Sequence, residues 1–258
     1  MKKSVIAKVG VKNEELIIDR LLSALNQFCE KIIIVDDYST DGTEEICRGY
    51  DKVDWHKNIE HDWKVRCDGH QHMVAIEAIK SYNPDYVLSL DADEIPFRNM
   101  PEFIDDLDDS INLWKLPFVQ LWGDEFHHRT DRFTTEQGVN INWNAFDGGQ
   151  LKGSLFKWID GFDYRYHLDK HLLPMEPYNI PEPHGISYET GILHYGKLSD
   201  FFKTGEKDYH YSVMRSHTLG GSIEQRVKHH ESCRSDETLT LEKINPDWIW
   251  DYTDDKDQ

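Results

Sequence analysis

Ile32-Ile33-Ile34-Val35-Asp36-Asp37-Tyr38-Ser39-Thr40-Asp41-Gly42-Thr43 is the stretch whose reading decides the fold. Four β-branched residues in a row, with no polar residue alternating between them, predict a strand buried on both faces, as found inside a parallel sheet. Two adjacent carboxylates end the strand, and a turn-rich segment follows before a helical turn over Glu44 to Arg48. Upstream, Val5 to Val9 reads as another buried strand. Between the two, Leu16, Ile17, Leu21, Leu22, Leu25 and Phe28 recur at helical spacing, which predicts a helix over 14–28 with Asn13 as its cap. Downstream, Val53 to His56 reads as a third short strand and 66–81 as a longer helix. Asn83-Pro84 stops that helix ahead of Tyr86-Val87-Leu88-Ser89-Leu90, a strand with Asp91-Ala92-Asp93-Glu94 at its carboxyl end.

Strands alternating with helices imply βαβ units, so the expected class is α/β: a Rossmann-like, mostly parallel central sheet flanked by helices. Beyond Pro101 the pattern changes to strands over Trp114 to Trp122 and Gly153 to Trp158, separated by stretches rich in Gly, Asn and Asp. Polar helical segments return from Ser199 to Ser232, and Trp248, Ile249, Trp250 and Tyr252 are expected to pin the C-terminal tail. The predicted division is residues 1–100, residues 101–200 and residues 201–258, the last a helical extension with an acidic tail.

At 258 residues the chain can bury a large core, and 38% hydrophobic with 30% charged residues fits a globular protein. Its formal net charge of −19 repels polyanions, which argues against duplex nucleic acid as a partner. Cys29, Cys47, Cys67 and Cys233 are scattered, with neither CxxC nor a dense framework, so a reducing, cytoplasmic setting is expected. Ser4 to Val11 is interrupted by Lys8 and reads as a strand, not a signal peptide; no run of about 18 apolar residues predicts a membrane span.

In open α/β sheets ligands bind beyond the carboxyl ends of the strands, so Asp36-Asp37 and Asp91 with Asp93 should converge on one crevice. A carboxylate facing a nucleobase accepts its N–H, and another binds a divalent cation bridging a diphosphate. Continued strand geometry through Ala92 would point Asp91 and Asp93 the same way. Each motif alone is ordinary: Ser-Thr-Asp-Gly-Thr is a turn with a cap, and two aspartates flanking one residue recur by chance in so acidic a chain.

Taken together, Val35 to Thr43, Lys12-Asn13-Glu14-Glu15, and Leu88-Ser89-Leu90-Asp91-Ala92-Asp93-Glu94 resemble the nucleotide-binding signature, the first-helix start and the DxD motif of family 2 glycosyltransferases. The resemblance implies a GT-A fold and places Lys12, Asn13 and Glu14 in the donor site, with Asp36 or Asp37 on the base. It also sets Asp91 near the ribose or the metal and Asp93 on the metal. Arg66 matches a family arginine near the donor, although Cys67-Asp68-Gly69 departs from the Asn-x-Gly that often follows it. Gly191-Ile192-Leu193-His194-Tyr195-Gly196 resembles the HYG-like stretch of some members and makes His194 a further metal ligand. Imidazole beside carboxylates favours Mn²⁺ over Mg²⁺, which prefers oxygen. Tyr166-His167-Leu168-Asp169 resembles the His-x-acid stretch ahead of that segment, so Asp169 is the preferred catalytic base, with Asp163 and Glu189 as rivals.

The resulting expectation is metal-dependent, inverting transfer of a sugar from a nucleoside diphosphate donor (UDP before GDP or TDP) to an unidentified saccharide or other hydroxyl acceptor. Nucleotidyl transfer is the rival within enzymes, but it expects a glycine-rich phosphate loop where Gly10 stands nearly alone. A non-catalytic nucleotide- or carbohydrate-binding module is the rival outside them. Trp114, Phe118, Trp122, Trp143 and Trp158 are expected mostly in the core, with one or two available to stack on a sugar.

Overall fold

A computed structural model of the chain describes residues 2–59, 68–134, 138, 140–162, 164, 176–196, 198, 222, 224, 227, 228 and 238–251. Its first half is β1 (Val5–Val11), α1 (Ile18–Phe28), β2 (Lys31–Asp36), α2 (Thr43–Arg48), β3 (Val53–Lys57), α3 (Asp68–Ile79) and β4 (Tyr86–Asp91). The four strands pair in parallel in the order β3-β2-β1-β4. Alternation along β1 explains why it has no polar face. Val5, Ala7 and Val9 pack with α1, while Ile6 packs with Ile33, Val87 and the α3 residues Ala75, Ile76 and Ile79. Both sheet faces are therefore dry. Lys8, which shares the α3 face, is buried with its Nζ 2.5 Å from His72 Nδ1 and 5.4 Å from the centre of the Tyr164 ring.

The second half adds β5 (Glu94–Pro96), α4 (Met100–Asp105), β6 (Leu113–Trp122), β7 (Asp124–Arg129), β8 (Arg132–Thr134), β9 (Asn140–Asn142) and β10 (Leu151–Lys157). It ends in β11 (His184–Ile186), β12 (Ile192–His194), β13 (Leu241–Lys243) and a 3-10 turn over Pro246–Trp248. Here the pairing is mixed: β10 joins β4 and β6 antiparallel and extends the same sheet, and β12 pairs antiparallel with β5 and parallel with β6. The α/β class, the parallel strands and the mixed second half are as the sequence predicted. Among the described residues no helix is long and apolar enough to cross a membrane. Cys29 and Cys47 are buried free thiols.

One local expectation is corrected. Asn13 does not cap α1, which begins at Ile18 with Ile17 in the cap position and no side-chain cap. Asn13 takes a left-handed φ of 55°, and its side-chain oxygen accepts from the Thr40 N–H at 2.8 Å, so it serves the β2–α2 loop instead. The longer helix spans Asp68–Ile79, with 66 and 67 outside the described residues. The expected helical segments of 199–232 fall almost wholly outside them.

The C-terminal aromatics do pin the chain. Trp250 is buried, stacks on Phe28 at 5.9 Å and donates Nε1–H to Pro96 O at 2.7 Å, while Trp248 stacks on Phe97 at 4.5 Å; Tyr252 lies outside the described residues. Trp250→Ala removes a buried indole and leaves the Pro96 carbonyl without its donor. It should cost about 3–5 kcal/mol of unfolding free energy in urea denaturation, and a loss below about 1 kcal/mol would mean that this contact does not hold the tail.

Candidate functional site

Register places the acidic clusters. Val11 lies level with Asp36 across β1 and β2, and Gly10 lies level with Asp91 across β1 and β4. Asp36 and Asp91 therefore both close their strands at the carboxyl end of the sheet, two strand spacings apart, or about 10 Å. Gly10 is without a side chain for a packing reason: a Cβ there would come 2.5 Å from Gln71 Oε1, whose amide crosses the strand to donate to Val35 O at 2.9 Å. The lone glycine is a close approach, not the remnant of a phosphate loop.

The first cluster is a stitched pair of loops. Asp36 Oδ1 accepts from Ser39 N–H at 2.9 Å, and Asp37 Oδ1 accepts from Asn58 Nδ2 at 2.9 Å. Lys12 Nζ donates to Asp37 O at 2.8 Å and lies 3.4 Å from Asp37 Oδ2. Asn13 N–H donates to Ser39 Oγ, Glu14 N–H to Thr43 Oγ1, and Gly42 N–H to Glu15 Oε2. Tyr38, 40% exposed, sits between these bonds at φ 63°, a region that a bulky side chain rarely enters, so the surrounding bonds hold the turn in shape. Both carboxylates are nearly enclosed, Asp36 at 1% and Asp37 at 2% exposure.

The second cluster surrounds a lysine. Asp91 is the last residue of β4, and Ala92-Asp93 turn into β5, so the alternation expected through Ala92 does not continue. The acids gather for another reason: Glu94 reaches back, accepting the Asp91 N–H on Oε2 at 2.9 Å and holding Lys152 Nζ on Oε1. Lys152 also lies 3.4 Å from Asp91 Oδ2. Burial pushes Glu94 up to about 8; Lys152 opposes that rise, and Asp91 and Asp93 add to it. Burial works against the Lys152 charge, but Glu94 and Asp91 outweigh it and hold the ammonium above its ordinary range. Even with Glu94 protonated, Asp91 and Asp93 outnumber the one ammonium.

His194 closes the site from the far side of the sequence. Pairing of β12 with β5 sets His194 opposite Glu94, and Tyr195 N–H donates to Asp93 O at 2.9 Å. The His194 Nε2 to Asp93 Oδ2 distance is 3.4 Å, with both side chains largely buried. Gly196 leaves the room between them: a Cβ there would lie 2.6 Å from each of those two atoms. Among the described residues no group of three or more His, Cys, Asp and Glu side chains gathers as a metal site. A carboxylate oxygen and an imidazole nitrogen 3.4 Å apart nevertheless form a donor pair that fits a divalent cation taking its other oxygens from a bound diphosphate and water.

Of the sequence candidates, the structure brings Lys12, Asn13, Glu14, Asp36 and Asp37 into one cluster and Asp91, Asp93 and His194 into the other, on one sheet edge. Arg66, Asp163 and Asp169 lie outside the described residues. Glu189 is exposed, and its carbonyl accepts from Asn99 Nδ2, at the opposite end of the β5–β12 pair from Glu94 and His194. Sequence reasoning gave no role to Glu94, Lys152, Asn58 or Gly196. Glu94 and Gly196 stood within the quoted motifs; Lys152 and Asn58 carried no local signal, because strand pairing alone brings them in.

A family model described as glycosyl transferase family 2 matches residues 8–148. No curated protein matches the chain. Among solved structures, glucosyl-3-phosphoglycerate synthase from Mycobacterium tuberculosis in complex with phosphoglyceric acid is 18% identical, covering 47% of this chain and 45% of that one at a TM-score of 0.35. The same synthase in complex with Mn²⁺, UDP-glucose and glycerol 3-phosphate is 17% identical over 46% and 44%, at 0.34. A mycobacterial protein is 16% identical over 46% and 42%, at 0.35. The matches span less than half the length of each of these structures.

Gly196→Ala tests the open space directly. The added methyl should push Asp93 and His194 apart at a folding cost of about 1–3 kcal/mol, within the range of ordinary overpacking. Mn²⁺ binding measured by calorimetry should fall at least about tenfold, the scale on which disturbed ligand placement acts. Unchanged Mn²⁺ affinity in a folded Gly196→Ala protein would exclude the space between those two side chains as the cation position.

Proposed function

The chain belongs to glycosyl transferase family 2 and has the GT-A fold, and on that premise we propose that it transfers a sugar from a nucleoside diphosphate sugar, with UDP-sugar as donor, to an acceptor hydroxyl with inversion at the anomeric carbon. The single observation carrying this reading is the convergence of the two acidic strand ends, with Asp93 and His194 facing each other across the gap left by Gly196.

In this reading residues 1–100 hold the nucleotide and 101–200 supply the acceptor surface and the base, with 201–258 as a C-terminal extension that β13 ties to β7. Asp36 or Asp37 accepts from the base N–H, and the bonds from Asn58 and Lys12 fix the Asp37 carboxylate before the donor arrives. Preset geometry of this kind lowers the ordering cost of binding. Lys12, Asn13 and Glu14 act mainly by holding the loop that carries those aspartates, and Arg66 contacts the donor. Asp91 faces the ribose or the cation, and Asp93 and His194 hold the cation, Mn²⁺ before Mg²⁺. The cation, when bound, supplies Lewis-acid stabilisation of the leaving diphosphate. Asp169 takes the proton of the acceptor hydroxyl as that oxygen attacks the anomeric carbon.

A thermal-shift panel of UDP, GDP and TDP with and without Mn²⁺ tests the donor and the metal together. A ligand at about a hundred times its dissociation constant adds about 2.7 kcal/mol, so a UDP response that needs Mn²⁺ should stand out. Asp93→Ala should lose the Mn²⁺-dependent part and transfer little sugar, with nucleoside diphosphate as the product released by the unmodified protein. Full transfer by Asp93→Ala with the same metal requirement would end this assignment.

A further inference from the structure

His194 is oriented from behind. Its Nδ1 lies 2.6 Å from Gln120 Oε1, and Gln120 Nε2 donates to Gln150 Oε1 at 3.0 Å. Parallel pairing of β12 with β6 sets His194 level with Gln120, and Phe118, two residues earlier on the same face of β6, stacks on the imidazole at 4.8 Å. Gln120 is 3% exposed, so its amide is fixed among buried partners.

That chain of bonds sets the tautomer. An amide oxygen only accepts, so the Gln120 contact is satisfied when Nδ1 carries the hydrogen, and in that tautomer Nε2 is left as a lone pair. The lone pair faces Asp93 Oδ2 at 3.4 Å across the space left by Gly196. Nε2 and Asp93 Oδ2 are thus the two donor atoms that the proposed cation would share.

We propose that Gln120 is a positioning residue, itself oriented by Gln150, which locks His194 in the Nδ1–H tautomer and so presents Nε2 to the divalent cation; this rests on the assignment of Asp93 and His194 to that cation. A ligating histidine that gives its other N–H to a fixed acceptor gains both orientation and donor strength. Here a neutral amide takes the place of the more usual carboxylate or backbone carbonyl, which adds no further negative charge to a site already rich in it.

The test reads Mn²⁺ bound to the full chain in the presence of UDP, by electron paramagnetic resonance for affinity and by electron spin echo modulation for nitrogen coupled to the metal. The unmodified protein should bind Mn²⁺ with one coupled imidazole nitrogen. Gln120→Leu and Gln120→Asn, the second keeping a polar group but withdrawing it by one methylene, should weaken Mn²⁺ binding about 10- to 100-fold and diminish the nitrogen coupling. Gln120→Glu keeps an acceptor at the same reach and should restore both to near the unmodified values. If either folded Gln120→Leu or Gln120→Asn retains full affinity and coupling, the positioning role is wrong while the metal assignment stands. If the unmodified protein binds Mn²⁺ without nitrogen coupling, or does not bind it, His194 is not a ligand and the assignment beneath this proposal fails with it.

Discussion

Parallel pairing of β1 with β2 on one side and β4 on the other holds Val11 level with Asp36 and Gly10 level with Asp91. The same register sorts the β1 side chains, sending Ala7 and Val9 toward α1 and Ile6 toward α3. A slip of one residue would send each set to the opposite face and carry the carboxylates off the shared edge. Core packing and site geometry are thus one constraint: the apolar contacts that fix the register also fix where the aspartates emerge.

The second half of the chain completes that edge through short elements. β12 is only three residues long, yet it pairs with both β5 and β6, and those pairings bring His194 beside Asp93 and Gln120. β10 does the same for Lys152, placing it against Glu94 and Asp91 from about sixty positions away in sequence. So brief a strand has little stability alone and depends on the sheet already in place. The parallel first half and the return strands therefore form one folding problem, with the candidate site at their junction.

What was legible in the sequence follows from which interactions are local. Ile32 to Val35 and Tyr86 to Leu90 announced buried strands because both faces of each are covered, and the acids after them stood out as charges ending apolar runs. Asn13 misled because a cap and a loop clamp call for the same side chain; the deciding partner, Thr40 N–H, lies in another loop. The expected alternation through Ala92 reached the right neighbourhood for the wrong reason, since Glu94 and Lys152 gather the acids after the strand has ended. Gln120 was invisible: a glutamine inside the apolar strand Leu113–Trp122 has meaning only once β12 lies beside it. His194 was found through the resemblance of its motif, not through any property of the residue alone, and Gly196 stood in that motif without a role.

The anionic donor proposed for this chain would meet an acidic sheet end. The chain carries a formal −19, and Asp36, Asp37, Asp91, Asp93 and Glu94 concentrate negative side chains where a diphosphate would have to sit. Lys12 is drawn to Asp37, and Lys152 is held by Glu94 and Asp91, so these two ammonium groups already face carboxylates. Neither can turn toward a phosphate without exposing the acid it now neutralises. In a partly buried site, where like charges repel far more strongly than in water, that exchange brings no net relief. Under the proposed assignment, a divalent cation between Asp93 and His194 would change the balance by adding positive charge without removing either lysine from its partner, and the acids would then hold a diphosphate that they would otherwise repel.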